Sequence, residues 1–135
     1  MSVTTSKQSA SLSWNIIIYM AAIHLVALLA FFPQFFSWSA LGVAFIFYWL
    51  TAGIGITLGY HRLVTHRSFE TPKWLEYCLV FCGTLACEGG PIAWVGLHRI
   101  HHKYSDTTSD PHDSNRGFWW SHMGWMFFQV EKKAE

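Results

Sequence analysis

A chain of 135 residues that is 52% hydrophobic and only 13% charged departs from the ordinary soluble domain, where about a quarter of residues carry charge. Its length bounds it to one small domain, and a net charge of +1 argues for neither a nucleic-acid nor a strongly acidic partner. Eight histidines in so apolar a chain require a chemical explanation.

Residues Met1 to Ser13 are polar and rich in Ser and Thr, and are expected to be a disordered tail. Lys7 precedes an apolar run too long for a signal h-region, with no small-residue cleavage site after it, so no cleavable leader is expected. From Gln8 to His61 there is no Lys, Arg, Asp or Glu, so the stretch can lie in hydrocarbon without burying a charge. It exceeds the roughly 20 residues of one span. The break at Phe32-Pro33-Gln34, followed by Ser37 and Ser39, divides it into spans of about 14–32 and 41–60. Trp14, Tyr19, Trp38 and Tyr60 lie near the ends, where amphipathic rings favour the interface. His24 reads as a neutral imidazole hydrogen-bonded within the helical bundle. The loop between the spans has no positive charge, whereas Arg62, Arg67, Lys73, Arg99 and Lys103 follow the second. This predicts an integral membrane protein with its N-terminus and histidine clusters on the cytoplasmic side.

The third apolar stretch, Pro72 to Leu97, contains Lys73, Glu76 and Glu88 and is broken by Gly89-Gly90-Pro91. A helix or helix pair lying at the cytoplasmic surface is expected, with the break as its turn, and a new helix from Trp94 to about Lys103. Cys78, Cys82 and Cys87 form no CxxC pair and read as reduced, buried thiols. Ser105 to Arg116 reads as a loop and Gly117 to Val130 as an interfacial helix. The expected fold is all-α: a membrane helical hairpin plus cytoplasmic or interfacial helices, with residues 14–135 forming one domain.

The chemistry lies in His61-Arg-Leu-Val-Thr-His66 and His98-Arg-Ile-His101-His102. In the second cluster, positions i, i+3 and i+4 share one helix face. In the first, i and i+5 diverge by about 140° on an ideal α-helix, so both reach one centre only if the helix ends or distorts between them, or if they serve different metals. Imidazole is a neutral ligand suited to iron, copper, zinc and nickel, which suits a membrane where unpaired carboxylates are costly. Asp106, Asp110, Asp113 and Glu88 are candidate acceptors for the far ring nitrogens. His112 and His122 lie outside the clusters and read as structural. Arg62, Arg67 and Arg99 read as headgroup anchors.

Gly59-Tyr-His-Arg-Leu-Val-Thr-His-Arg-Ser-Phe69 resembles the first histidine box of the membrane Δ9 fatty-acid desaturases. His98-Arg-Ile-His-His-Lys-Tyr-Ser-Asp106, Asp110-Pro-His112 and Arg116-Gly-Phe118 resemble the second box and its downstream signature, and Gly117 to Trp125 is similar as well. The match covers about residues 14 to 130. The resemblance implies O2-dependent insertion of a cis double bond at carbon 9 of a saturated acyl chain, at a pair of irons. His61, His66, His98, His101 and His102 match the ligands, and Trp94 matches a position lining the acyl channel. Gly96-Leu97 stand where animal acyl-CoA enzymes carry an Arg-Asp pair, which places the likeness with the cyanobacterial acyl-lipid branch. That branch implies acyl chains esterified to membrane lipids as substrates and ferredoxin as electron donor, with a cytochrome b5-type donor as the alternative. The family's third histidine box has no counterpart here. Five imidazoles are too few for two irons, so an amino-terminal half, inactive by itself, is expected. The competing readings are another histidine-box membrane hydroxylase and a non-catalytic membrane metal-binding protein.

Overall fold

The computed structural model of the protein describes residues 10–130, which form helices, two three-residue strands and the turns and loops that join them. In chain order the elements are β1 (Ala10–Leu12), α1 (Trp14–Ala27), α2 (Trp38–Tyr48), a π-wound segment (Trp49–Thr65), α3 (Lys73–Thr84), α4 (Pro91–Tyr104), α5 (Phe118–His122) and β2 (Phe128–Val130). They fall into two compact units, one of residues up to 35 together with those from 112, the other of residues 36–111.

In the first unit, α1 and a 3-10 turn over Leu28–Phe31 make an apolar helix of 18 residues, Trp14–Phe31, with mean hydropathy 2.0. It buries no residue of its own, and a helix apolar on every side is suited to a membrane or a larger core. It stops where expected: Phe32 is extended (φ −89°, ψ 128°), because the following Pro33 disfavours the helical conformation there. His24 Nδ1 lies 2.7 Å from the Met20 carbonyl oxygen, so its partner is its own helix.

Two expectations are corrected here. The tail expected to be disordered through Ser13 is ordered from Ala10: Ala10, Ser11 and Leu12 pair antiparallel with Val130, Gln129 and Phe128, and the Ser13 N–H donates to the Phe127 carbonyl at 2.8 Å. Residues 1–9 of that tail lie outside the described residues. The interfacial helix expected over Gly117 to Val130 shrinks to α5 and a 3-10 turn at Gly124–Phe127, because Phe128–Val130 find backbone partners in β1. Ring contacts occupy the two outlying histidines: His112 against Trp125 at 5.4 Å between centroids, and His122 stacked on Phe118 at 5.3 Å.

The second unit starts at Ser37, whose Oγ accepts from the Ala40 N–H at 3.4 Å and so caps α2. The helix then continues without interruption into the π-wound segment. Together they form Trp38–Thr65, 28 residues at mean hydropathy 1.9, again long and apolar enough to cross a membrane. The hydroxyls of Thr57 and Thr65 donate five residues back, to the Ala52 and Tyr60 carbonyls at 2.9 and 2.7 Å, which matches the wider i→i+5 winding.

Gly55 and Gly59, four apart, lie against α3. A Cβ on Gly59 would come within 2.8 Å of the Leu79 carbonyl oxygen, and one on Gly55 would overlap the Cys82–Gly83 backbone. This is the close backbone approach that small residues four apart allow between apolar helices. From the α3 side, a Cβ on Gly83 would strike the Tyr60 ring. Tyr60 is fully buried, and with Leu63, Leu79 and Val95 it forms the buried apolar core. The Tyr60 hydroxyl donates to the Gly89 carbonyl at 3.5 Å.

The expected helix pair is present as α3 and α4, with Gly89 in the left-handed region (φ +100°) and Pro91 at the first turn of α4. At 12 residues, α3 is about 18 Å long, well short of the roughly 30 Å hydrocarbon layer. The expected burial of the cysteines is corrected: Cys78 and Cys87 are exposed and Cys82 is half-buried, because α3 buries Leu79 and Gly83 instead.

If the crossing is what holds this unit together, Gly59→Val forces the π-wound segment and α3 apart. It should cost at least about 1–3 kcal/mol, read as a lower thermal midpoint of the helical signal in detergent. Gly42→Ala, at a position surrounded by open space, should leave the midpoint unchanged; equal midpoints for the two variants would remove the crossing from the account.

Candidate metal centre

The π winding brings the first cluster together. The His66 N–H donates to the His61 carbonyl, five residues back, at 3.0 Å. One turn of this winding therefore separates the two residues, and their rings lie on the same side with centroids 4.6 Å apart. The 140° divergence of an α-helix is absent because the helix there is not α.

The second cluster meets the first from α4. His98 lies 4.7 Å from His61 and 5.5 Å from His66 between ring centroids, and His102 lies 4.8 Å from His66. The Nε2 atoms of His98 and His102 face each other at 2.9 Å. One ligand nitrogen from each of His61, His66, His98 and His102 lies within 4.8 Å of the others, a group that can hold a metal ion. At a metal–nitrogen bond of about 2.0–2.1 Å, the His98 and His102 nitrogens, 2.9 Å apart, would subtend roughly a right angle, an ordinary angle for adjacent ligands. A donor set of imidazoles alone suits iron, zinc, copper and nickel.

The electrostatics favour ligation. His98 is half-buried, and that burial, followed by the neighbouring His102, His61, His66 and His101, pushes its pKa down to about 4. Its imidazole is therefore neutral near pH 7, the form that binds metal. Arg99 Nη2 donates to the Thr65 carbonyl at 3.5 Å, joining α4 to the end of the π-wound segment.

His101 is not a member of that four-residue group. Its Nδ1 lies 2.9 and 3.1 Å from the two carboxylate oxygens of Asp110. Trp94 stacks on His98, with centroids 4.8 Å apart and planes at 24°, and its edge contacts Tyr60 at 5.7 Å. Its indole N–H donates to Glu88 Oε2 at 3.2 Å, so this carboxylate holds the tryptophan. Asp113 is a turn residue, its Oδ1 accepting from the Asn115 N–H at 2.9 Å. The Asp106 N–H donates to Asp110 Oδ2 at 3.3 Å. Sequence reasoning missed the Gly55, Gly59 and Gly83 contacts and the burial of Tyr60 against Gly83 and Trp94; the small-xxx-small spacing of Gly55 and Gly59 was the available signal.

Curated relatives match this chain over most of its length. The sn-1 stearoyl-lipid 9-desaturase of Synechocystis sp. is 65% identical over 130 residues, 96% of this chain and 41% of the relative. The sn-1 stearoyl-lipid 9-desaturase of Anabaena variabilis is 59% identical over 135 residues, 100% of this chain and 49% of the relative. The sn-2 palmitoyl-lipid 9-desaturase of Nostoc sp. is 50% identical over 121 residues, 89% of this chain and 42% of the relative. The chain thus spans less than half the length of each of these three relatives. No family model matches it.

Cobalt(II) titration of the detergent-solubilised chain tests the group directly. Replacing His61, His66, His98 or His102 with Ala should weaken uptake by more than about tenfold, since even the loss of a supporting group around a metal commonly costs that much. His24→Ala should leave uptake unchanged. A His98→Ala chain that binds cobalt as tightly as the wild type would rule the cluster out.

Proposed function

We propose, for a chain that sequence similarity makes a relative of the acyl-lipid desaturases, that it builds part of the centre that inserts a double bond at carbon 9 of a saturated, lipid-linked acyl chain. The observation that carries this reading is the convergence of His61, His66, His98 and His102 at the end of a helix apolar enough to cross a membrane. His61, His66, His98, His101 and His102 are assigned as ligands to a pair of irons. When bound, the irons supply, with dioxygen and two external electrons, the oxidising power that removes hydrogen from two neighbouring methylenes.

The chain's own residues do the rest. The imidazoles supply neutral donors, so no net negative charge is buried beside lipid. Trp94, clamped by Glu88 and stacked on His98, offers a rigid apolar wall beside the ligands along which a saturated chain can lie, which is how a site fixes the carbon that reacts. Gly96-Leu97 add no charge that would hold a nucleotide headgroup, in keeping with lipid-linked substrates. Trp14–Phe31 and Trp38–Thr65 are assigned as spans, with the N-terminus and ligands on the cytoplasmic side by the positive-inside tendency. Electrons come from ferredoxin in this reading, with a cytochrome b5-type protein as the alternative donor. Five imidazoles fall short of the roughly four to six ligands each iron takes, so the 135 residues by themselves are expected to be inactive, and further donors complete the centre.

The test is expression of the coding sequence, with any in-frame continuation, in a host whose lipids lack Δ9 double bonds, followed by mass spectrometry of the acyl chains. Δ9-monounsaturated chains should appear on membrane lipids and fall to background with His98→Ala. Trp94→Ala should change chain length or bond position, with Trp94→Phe closer to the wild type. Hydroxylated chains in place of unsaturated ones would overturn the desaturase reading.

A further inference from the structure

The residue that the four-histidine group leaves out is held in the second unit's most deliberate polar contact. The Asp110 side chain is 1% exposed, and a carboxylate that deep is costly unless its oxygens are satisfied. They face His101 Nδ1 at 2.9 and 3.1 Å, and Oδ2 also accepts from the Asp106 N–H at 3.3 Å. The chain is shaped to deliver it. After α4 ends at Tyr104, the Thr107 N–H and Oγ1 both donate to the Tyr104 carbonyl at 3.0 and 2.6 Å, and the Asp110 N–H donates to the Thr107 carbonyl at 3.0 Å. Asp106 adopts the left-handed φ of +59° that the reversal requires. Six residues beyond the helix, the carboxylate is back beside its last turn.

We propose that Asp110 is a positioning residue: it accepts the Nδ1 proton of His101, which keeps the ring's lone pair on Nε2 and fixes the plane in which that nitrogen meets a metal. This rests on the metal-centre reading above. The carboxylate acts through the imidazole and does not itself touch the ion. A carboxylate behind a ligating imidazole raises its basicity and fixes its tautomer, while the negative charge stays in the loop after α4, one residue removed from the metal.

The experiment uses the full chain in detergent micelles, labelled with 15N at histidine. Two-bond proton–nitrogen correlations of the metal-free protein report the tautomer of each ring, and cobalt(II) titration reports affinity. In the wild type His101 should be the Nδ1–H tautomer. Asp110→Ala should release it toward the Nε2–H form and weaken cobalt binding about 10–100-fold. Asp110→Asn, whose amide oxygen still accepts from Nδ1–H, should keep the tautomer and recover most of the affinity. Asp110→Ala should add nothing further in a His101→Ala background. An unchanged tautomer or unchanged affinity in Asp110→Ala overturns the proposal. So does an Asp110→Asn variant that keeps the tautomer but loses cobalt as completely as Asp110→Ala, because Asp110 would then be a direct ligand. A wild-type chain that takes up no cobalt sinks the metal-centre reading and the proposal with it, whereas failure of the Asp110 variants alone leaves that reading standing.

Discussion

The i→i+5 winding of Trp49–Thr65 is the constraint on which the rest of the site depends. In an α-helix His61 and His66 would point about 140° apart, and no placement of α4 could bring His98 and His102 against both. With the winding widened, the His66 N–H reaches the His61 carbonyl, the two rings share one side, and a single helix, α4, can complete the group. Short π insertions recur at functional sites because they re-aim side chains in this way. Here the effect extends over the whole end of the segment, and the threonine hydroxyls at 57 and 65 donate to carbonyls within the widened turns.

A widened helix needs support, and α3 provides it. Gly55 and Gly59 let the α3 backbone approach closely, and Gly83 accepts the face of the Tyr60 ring in return. Tyr60 immediately precedes His61, is fully buried, and touches Trp94, the residue stacked on His98. Each ligand-bearing element is therefore tied to the same buried ring. A side chain at any of the three glycines would therefore press on the elements that carry His61 and His98.

Local sequence features carried much of this. The charge-free stretch from Gln8 to His61, broken at Pro33, marked the first long helix closely, because burial of charge and proline geometry act locally; the second runs Trp38–Thr65 where about 41–60 was expected, because it continues past the point where charged residues begin. Gly89-Gly90-Pro91 marked the turn between α3 and α4 for the same local reason, and the i, i+3, i+4 spacing put the second cluster on one face. What stayed hidden is non-local or off-period. Residues 10–12 pair with 128–130 at the far end of the chain, so nothing in the polar composition of the tail announced a strand. The tight turn and short helix after Gly117 likewise answer to that pairing and not to the aromatic run, which looked like one helix. The π winding defeated a reading based on a 3.6-residue period, although the i, i+5 spacing of His61 and His66 was itself the clue: it makes sense as one turn only in a helix with an i→i+5 bond. Asp110, one of four acidic candidates by sequence, could not be separated from Asp106, Asp113 and Glu88 until the loop after α4 was seen to return it to His101.

The division of labour between neutral and charged groups follows from where the site sits. It stands at the end of an apolar helix of mean hydropathy 1.9, beside which several uncompensated carboxylates would be costly. Four imidazoles avoid that cost, and burial among like neighbours keeps His98 unprotonated, so its nitrogen does not have to shed a proton near neutral pH before meeting a cation. The acidic groups are displaced outward: Glu88 orients an indole, and Asp110 orients an imidazole from within a loop whose Asp106 N–H also serves it. A charge held one residue away still steers the ring it touches, and it is stabilised by hydrogen bonds that exist whether or not a metal is present. The polar framework can thus form along with the helices and hold the donors ready before any ion arrives.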